Sequence, residues 1–217
     1  RIRNIHQKAE LNNRIVETKM MALRAQMNPH FIFNCLNSID AFIQNNDKYY
    51  ATTYLNKFAR LLRNVLDSSA QNSVKFSRDM ETLQLYIELE ELRNDHKFST
   101  IFEVDEILLN DDFKVPPLLI QPYVENAIIH GLKNRIGDGG CLLIKAVKMP
   151  EYIHYTIEDN GVGRESVPAG RARNKNSYGM QMSSDRIRYF NEEEFPQVTI
   201  TDLTRNGHPT GTRVEVF

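Results

Sequence analysis

Two groups of residues in this chain have the types and spacing to do chemistry. His30 stands directly after Pro29, and His30, Asn34 and Asn37 recur at four-three spacing. On a helix that spacing gives one polar, solvent-reachable face. An imidazole so placed can exchange protons or carry a transferred group. By spacing alone, though, such a histidine is more often surface decoration or a satisfied hydrogen-bonder. In the second group, Asn126 and His130 are four apart and share a helix face. The amide oxygen of Asn126 is a hard ligand of the kind Mg²⁺ prefers, an ion that usually keeps waters and substrate phosphates in its shell. Asp159 ends an alternating run, and Gly161 and Gly163 after it let the backbone turn sharply and come close to a bound group. Each has an ordinary alternative. Asn126 can be a buried helix amide, and Asp-Asn-Gly-Val-Gly a plain turn after a strand.

The elements that must position these residues follow from periodicity. Leu11, Ile15, Thr18, Ala22, Ala25, Pro29, Ile32, Leu36, Ile39 and Ile43 alternate four and three apart, a heptad seam with Thr18 and Pro29 as imperfect members. Pro29 lacks an N–H and crowds the carbonyl four residues back, so a kink or loosened turn is expected beside His30. Asn45-Asn46-Asp47 breaks the pattern and offers an N-cap. The next helix continues the seam as Ala51, Leu55, Phe58, Leu62 and Val65 and ends near Ser68-Ser69. Two helices joined by a short polar turn make an antiparallel hairpin. So much apolar surface asks for a partner, and an identical hairpin would complete a four-helix bundle; a homodimer is expected.

Ser77 is placed to cap a third helix to about Arg93, burying Met80, Leu83, Tyr86, Ile87 and Leu89. Alternation then predicts strands at 98–104, 142–147, 153–157, 198–203 and 212–217, with helical segments at about 118–132 and 179–191 between them. Helices first and a strand–helix mixture after them predict an α+β chain. The predicted domains are 1–72, helical, and 73–217, mixed. The polar, basic, glycine-bearing stretch 163–178 is predicted to be a long loop, and loops of that length are usually lids or disordered.

Bulk properties narrow the function classes. The chain has 217 residues, 41% hydrophobic and 25% charged, which is enough to bury a core. A net charge of −1 gives no basic field to argue for nucleic acid. Cys35 and Cys141 lie on segments of different character and show no metal spacing, which suits reduced thiols in a cytosolic setting. No apolar run is long enough to span a bilayer, and no signal peptide is seen. Because it opens at Arg1 in mid-pattern, the chain is expected to be a fragment with more sequence upstream.

Order and spacing tie the two groups together. The string Gln26-Met27-Asn28-Pro29-His30-Phe31-Ile32-Phe33-Asn34-Cys35-Leu36-Asn37-Ser38-Ile39 resembles the phosphoacceptor segment of LytS-like sensor histidine kinases. The run from Pro116 to Gly131, with Glu125-Asn126-Ala127 and His130 at its heart, resembles the N box of the GHKL superfamily of ATPases and kinases. Asp159-Asn160-Gly161-Val162-Gly163 resembles its first glycine box, and Gly179-Met180 with Arg186-Ile187 the second. Gly211-Thr212 resembles the threonine-bearing end of the fold. The resemblance implies a dimeric helical bundle followed by a GHKL, Bergerat-type α/β sandwich that binds ATP. It implies nucleotide contacts from Asn126, His130, Asp159, Gly161, Gly163, Gly179, Thr212 and Arg164, with Mg²⁺ held by Asn126. Asp159 would accept from the exocyclic amine of adenine, which selects ATP over GTP, whose ring presents a carbonyl there. Arg164, Arg171, Arg173 and Lys175 would meet the triphosphate.

The hydrolysing branch of that superfamily places a glutamate four residues before the magnesium asparagine. Here that position is Pro122, and the carboxylate is Glu125, turned about 100° around the helix from Asn126. This implies transfer to a side chain, His30, rather than to water. Many histidine kinases carry an acid directly after the histidine; here, as in LytS-like proteins, it is Phe31. Asn34 would orient the ring, and Glu125 would act as base. Gln181 stands where many relatives have a second glycine. A degenerate, kinase-like dimeric scaffold or nucleotide-binding module is the alternative. The resemblance further implies a response regulator receiver domain as partner and a membrane-anchored full-length protein of the bacterial inner membrane, with this part cytoplasmic. The basic opening Arg1, Arg3 and Lys8 suits a helix leaving the inner face.

Overall fold

The computed structural model describes residues 29–69, 71–164, 198–205 and 207–217. The expected first helix before Pro29, the helix at 179–191 and most of the 163–178 loop lie outside the described residues. The chain divides between Ser73 and Val74 into two compact units.

The first unit is a helical hairpin, α1 (Pro29–Gln44) and α2 (Lys48–Ser69). Its turn is set by two residues, Asn46 and Asp47. Asn46 adopts a positive φ of 57°, and the Asn46 and Asp47 N–H groups donate back to Ile43 and Phe42 carbonyls at 3.0 and 2.9 Å. This pattern satisfies the carbonyls left over where a helix stops. Asp47 then caps α2, its Oδ1 accepting from the Tyr50 N–H at 3.2 Å.

The buried seam matches the expected one at Ile39, Ala51, Phe58 and Val65 and departs from it at other positions. Phe31, Cys35 and Ile39 meet Ala51, Tyr54, Phe58, Leu61 and Val65 in the core, and the Tyr54 hydroxyl donates to Cys35 Sγ at 3.4 Å. Of the predicted seam residues, Leu36 and Leu55 are 49% exposed and Ile43 is 62% exposed, while Ile32 and Leu62 are half-buried. The sequence carries two adjacent apolar stripes, and heptad spacing does not say which faces the partner helix. The stripe bearing the bulky rings Phe31, Tyr54 and Phe58 is the one enclosed.

The second unit is α+β. β1 (Val74–Lys75) pairs antiparallel with β3 (Lys114–Val115) and leads directly into α3 (Phe76–Arg93). β2 (Phe98–Val104), β4 (Gly140–Lys148), β5 (Ile153–Asp159), β6 (Val198–Arg205) and β7 (His208–Val216) form one sheet, ordered β2-β4-β5-β7-β6. β2 runs parallel to β4 and the remaining pairs are antiparallel. One face of the sheet buries Leu142, Ile144, Ala146, Tyr155, Ile157, Val214 and Val216. α3 lies over that face, with Phe76 stacked on Tyr155 at 6.2 Å between ring centres. The other face carries cross-strand ion pairs, Lys145–Glu103 at 3.2 Å and Arg213–Glu158 at 2.7 Å.

Two helix boundaries depart from expectation. α3 starts at Phe76, so Ser77 lies inside the first turn rather than capping it. The Phe76 N–H is satisfied by the Phe113 carbonyl at 2.8 Å, which removes the need for a side-chain cap. The helix expected from Leu118 begins at Gln121. Leu118 has a positive φ of 58°, and its N–H donates to the buried Asp79 Oδ1 at 2.7 Å. After the five-residue helix α4 (Glu106–Asn110), this helix, α5, runs only from Gln121 to Asn126. It continues as a π turn, Ala127–Gly131, and a 3-10 turn, Leu132–Asn134.

Candidate functional site

The end of β5 and the π turn come together around one carboxylate. Asp159 is 3% exposed and sits opposite Thr212 on β7 and Leu142 on β4. Its Oδ1 accepts from the Gly161 N–H at 2.8 Å. Burial pushes the Asp159 carboxyl up to about 6, with the Glu158 charge adding to the rise and hydrogen bonds from the Gly161 and Thr212 backbone opposing it. Glycines make this closeness possible. A Cβ on Gly131 would lie 2.5 Å from Asp159 Oδ1, and one on Gly161 would lie 2.3 Å from the Gly131 carbonyl carbon. The Val162 N–H completes the junction, donating to the Gly131 carbonyl at 3.3 Å.

The π turn explains why Gly131 reaches that far. Its wider winding begins directly after Asn126, and such turns often occur at functional sites. Asn126 is half-buried and His130 is exposed; the His130 carbonyl accepts from Asn134 Nδ2 at 3.0 Å. Glu125, beside Asn126, accepts from Gln121 Nε2 at 2.9 Å. Burial raises the Glu125 carboxyl, the Gln121 bond opposes the rise, and the charge of Glu90 reinforces it. Glu90, on α3, is itself raised, chiefly by burial and despite Arg93, Asn94 and Lys133. It pairs with Arg93 and accepts weakly from Asn94 Nδ2 at 3.4 Å.

The remaining candidates fall in several places. Thr212 and Gly161 join Asp159, and Gly163, with φ of 70°, follows on the same loop. Arg164 forks onto Asp202 of β6 through Nε and Nη2 at 2.7 and 2.8 Å, a pair that holds Asp202 low and Arg164 high. In the hairpin, His30 lies in the first turn of α1; Asn34 is half-buried and its carbonyl accepts from Ser38 Oγ at 3.0 Å. Gly179 and the cations Arg171, Arg173 and Lys175 lie outside the described residues.

A buried carboxylate backed by glycines suits a ligand amine, which would add a hydrogen-bond donor to those of the Gly161 and Thr212 backbone. Among the described residues no group of three or more His, Cys, Asp or Glu could hold a metal ion. The sequence motifs contained Gly131 and Gly211 without marking them as site residues. Asp79 was missed outright, because the N–H it holds is 39 residues away and no local pattern reports it.

A family model, described as histidine kinase, matches residues 18–98. The sensor protein LytS of Oceanobacillus iheyensis is 35% identical over 149 residues, 69% of this chain and 25% of LytS. The chain belongs to the LytS-like histidine kinases. The uncharacterized protein YwpD of Bacillus subtilis is 28% identical over 194 residues, 88% of this kinase chain and 68% of YwpD. The histidine kinase domain of the Erythrobacter litoralis EL346 blue-light activated kinase aligns over 94% of both chains at 14% identity and a TM-score of 0.48. This kinase chain spans about a quarter of the length of its LytS relative, and the family model stops before the Asp159 site.

Proposed function

We propose that this region uses Mg-ATP to phosphorylate His30 and passes the phosphoryl group to an aspartate on a response regulator receiver domain. One observation carries the nucleotide half of this reading: the buried Asp159 carboxylate, backed by Gly131 and Gly161 at the end of the helix that bears Asn126. Asp159 accepts from the adenine amine, and an ionised acceptor there favours adenine over guanine. Asn126 supplies an amide oxygen to Mg²⁺, and the ion when bound offsets charge on the phosphates. A ring nitrogen of His30 forms the P–N bond as the γ-phosphate separates from ADP. Glu125 receives the ring proton, a task suited to a carboxyl that burial makes more basic. Asn34, one turn from His30, orients the imidazole.

The protein works as a homodimer. Phe33, Leu36, Ile43 and Leu55 leave an apolar stripe on the outside of the hairpin, which a second hairpin would cover. The full-length protein is anchored in the inner membrane, with this part on the cytoplasmic side.

Labelled ATP with magnesium tests the reading. His30 should take up label that is lost in acid and kept in base. His30→Gln should abolish labelling and leave ATP affinity within about twofold, while Asn126→Ala should abolish it through the metal. Label persisting in His30→Gln would assign the phosphoacceptor elsewhere.

A further inference from the structure

Between Asp159 and Gly161 stands a residue with no spare hydrogen-bonding group. The Asn160 N–H donates to the Cys141 carbonyl at 3.2 Å. Its Oδ1 accepts from the Cys141 N–H at 2.7 Å, and its Nδ2 donates to the Gly139 carbonyl at 3.0 Å. Its own carbonyl accepts from Arg135 Nη1 at 2.8 Å. Three of these bonds pin the end of β5 to the start of β4. The fourth reaches the chain just beyond the 3-10 turn, where the Arg135 N–H is held by the Leu132 carbonyl at 3.1 Å. Arg135 Nε is buried without a partner among the described residues, and Nη1 is the atom through which the side chain reaches this carbonyl.

We propose that Asn160 and Arg135 are positioning residues: together they lock the loop that presents Asp159 and Gly161 to the segment that ends the Asn126 helix. The two sides of the site, the carboxylate on the sheet and the π turn with Gly131, also meet through the Val162–Gly131 bond at 3.3 Å and the close approach of Gly161 to Gly131. Arg135 adds a charge-assisted bond across the same junction, stronger than a neutral one. Its effect is to hold Asp159 ready for a donor before the ligand arrives, which lowers the ordering cost of binding. Both residues bond to the chain itself, so the effect belongs to affinity and not to the transfer step. The inference rests on Asp159 being the adenine acceptor.

The test is Arg135→Leu in the intact chain, which keeps the bulk of the stem and removes the donor. The KM for ATP should rise by roughly tenfold, the usual weight of one charge-assisted hydrogen bond, while kcat at saturating ATP stays within about twofold. Amide exchange in the ligand-free protein should quicken at residues 160–162 and stay unchanged at 154–158 of β5. Arg135→Lys, which retains a donor, should recover most of both effects. An unchanged KM together with unchanged exchange overturns the proposal. So does a fall in kcat at constant KM, which would put Arg135 at the transfer step. Should the wild type bind no ATP, the adenine reading fails, and the exchange comparison still decides whether Arg135 locks the loop.

Discussion

The hairpin and the sheet domain hold back stability in opposite places. In the hairpin the unfavourable groups are apolar and outside: Phe33 is 66% exposed and Ile43 62%. In the sheet domain they are charged and inside, where Asp159 is 3% exposed and Glu90 1%. Exposed apolar surface is relieved when another surface covers it. A buried carboxylate is relieved by a proton, a cation or a hydrogen-bond donor. A covering surface would therefore stabilise the first unit, and a proton or a hydrogen-bond donor the second. Each difference yields a measurement that can break the contrast.

The largest effect is expected at the hairpin surface. Leu36→Glu with Leu62→Glu should turn a dimer into a monomer by light scattering at micromolar concentration, while the sheet domain keeps its melting behaviour. A dimer that survives both charges would mean that the exposed stripe is not the contact.

Next in size is Asp159→Asn. Nucleotide affinity should fall by about thirtyfold, on the order of 2 kcal/mol, because an acceptor facing a donor is replaced by an amide. The ligand-free protein should become more stable at neutral pH. Asp159 titrates near 6 when folded, against 3.8 ordinarily, so the fold prefers the protonated form. Its stabilising proton is fully present below about 3.8 and is lost as pH rises through 6, at a cost on the order of 3 kcal/mol. Asparagine removes that cost. Calorimetry should show a higher Tm for the variant at pH 7 and near-equal values at pH 4. Equal values at both would mean that the carboxylate is not strained.

A smaller effect follows from the same group without mutation. Protonating Asp159 removes the acceptor's charge and weakens it, so ATP affinity should decline as pH falls below about 6, and Asp159→Asn should flatten that profile in titrations from pH 5 to 8. Smallest is Tyr54→Phe, which removes the hydroxyl that donates to Cys35 Sγ at 3.4 Å. It should lower hairpin stability by about 0.5–1 kcal/mol in chemical denaturation and leave nucleotide affinity unchanged.

Period and turn chemistry were legible in the sequence because they are local. The strand expected at 98–104 is Phe98–Val104, and the polar turn at Asn45-Asn46-Asp47 does end one helix and cap the next. The resemblance of the His30, Asn126 and Asp159 segments to LytS-like kinases was legible for a similar reason, since each motif is a short run of neighbours. Two glycines and an aspartate within those runs now have physical roles: Gly131 and Gly161 allow a contact that any Cβ would block.

Other features needed the folded chain. Which of two apolar stripes the hairpin encloses depends on ring volumes packing across helices, and both stripes have the same spacing. The late start of the Asn126 helix depends on Asp79 holding the Leu118 N–H from another element. The π turn brings Gly131 against Asp159 of β5, a contact between segments distant in the chain. Arg164, a cation expected at the phosphates, is engaged by Asp202 on a strand far along the chain. The sequence by itself determined most of the elements and the family, and it named candidate reactive side chains, because periodicity and motif order are written between near neighbours. Only the tertiary structure decided which surface stays open, where the helix breaks and how far Asp159 titrates from an ordinary carboxyl, because burial and long-range hydrogen bonds exist only once distant segments meet.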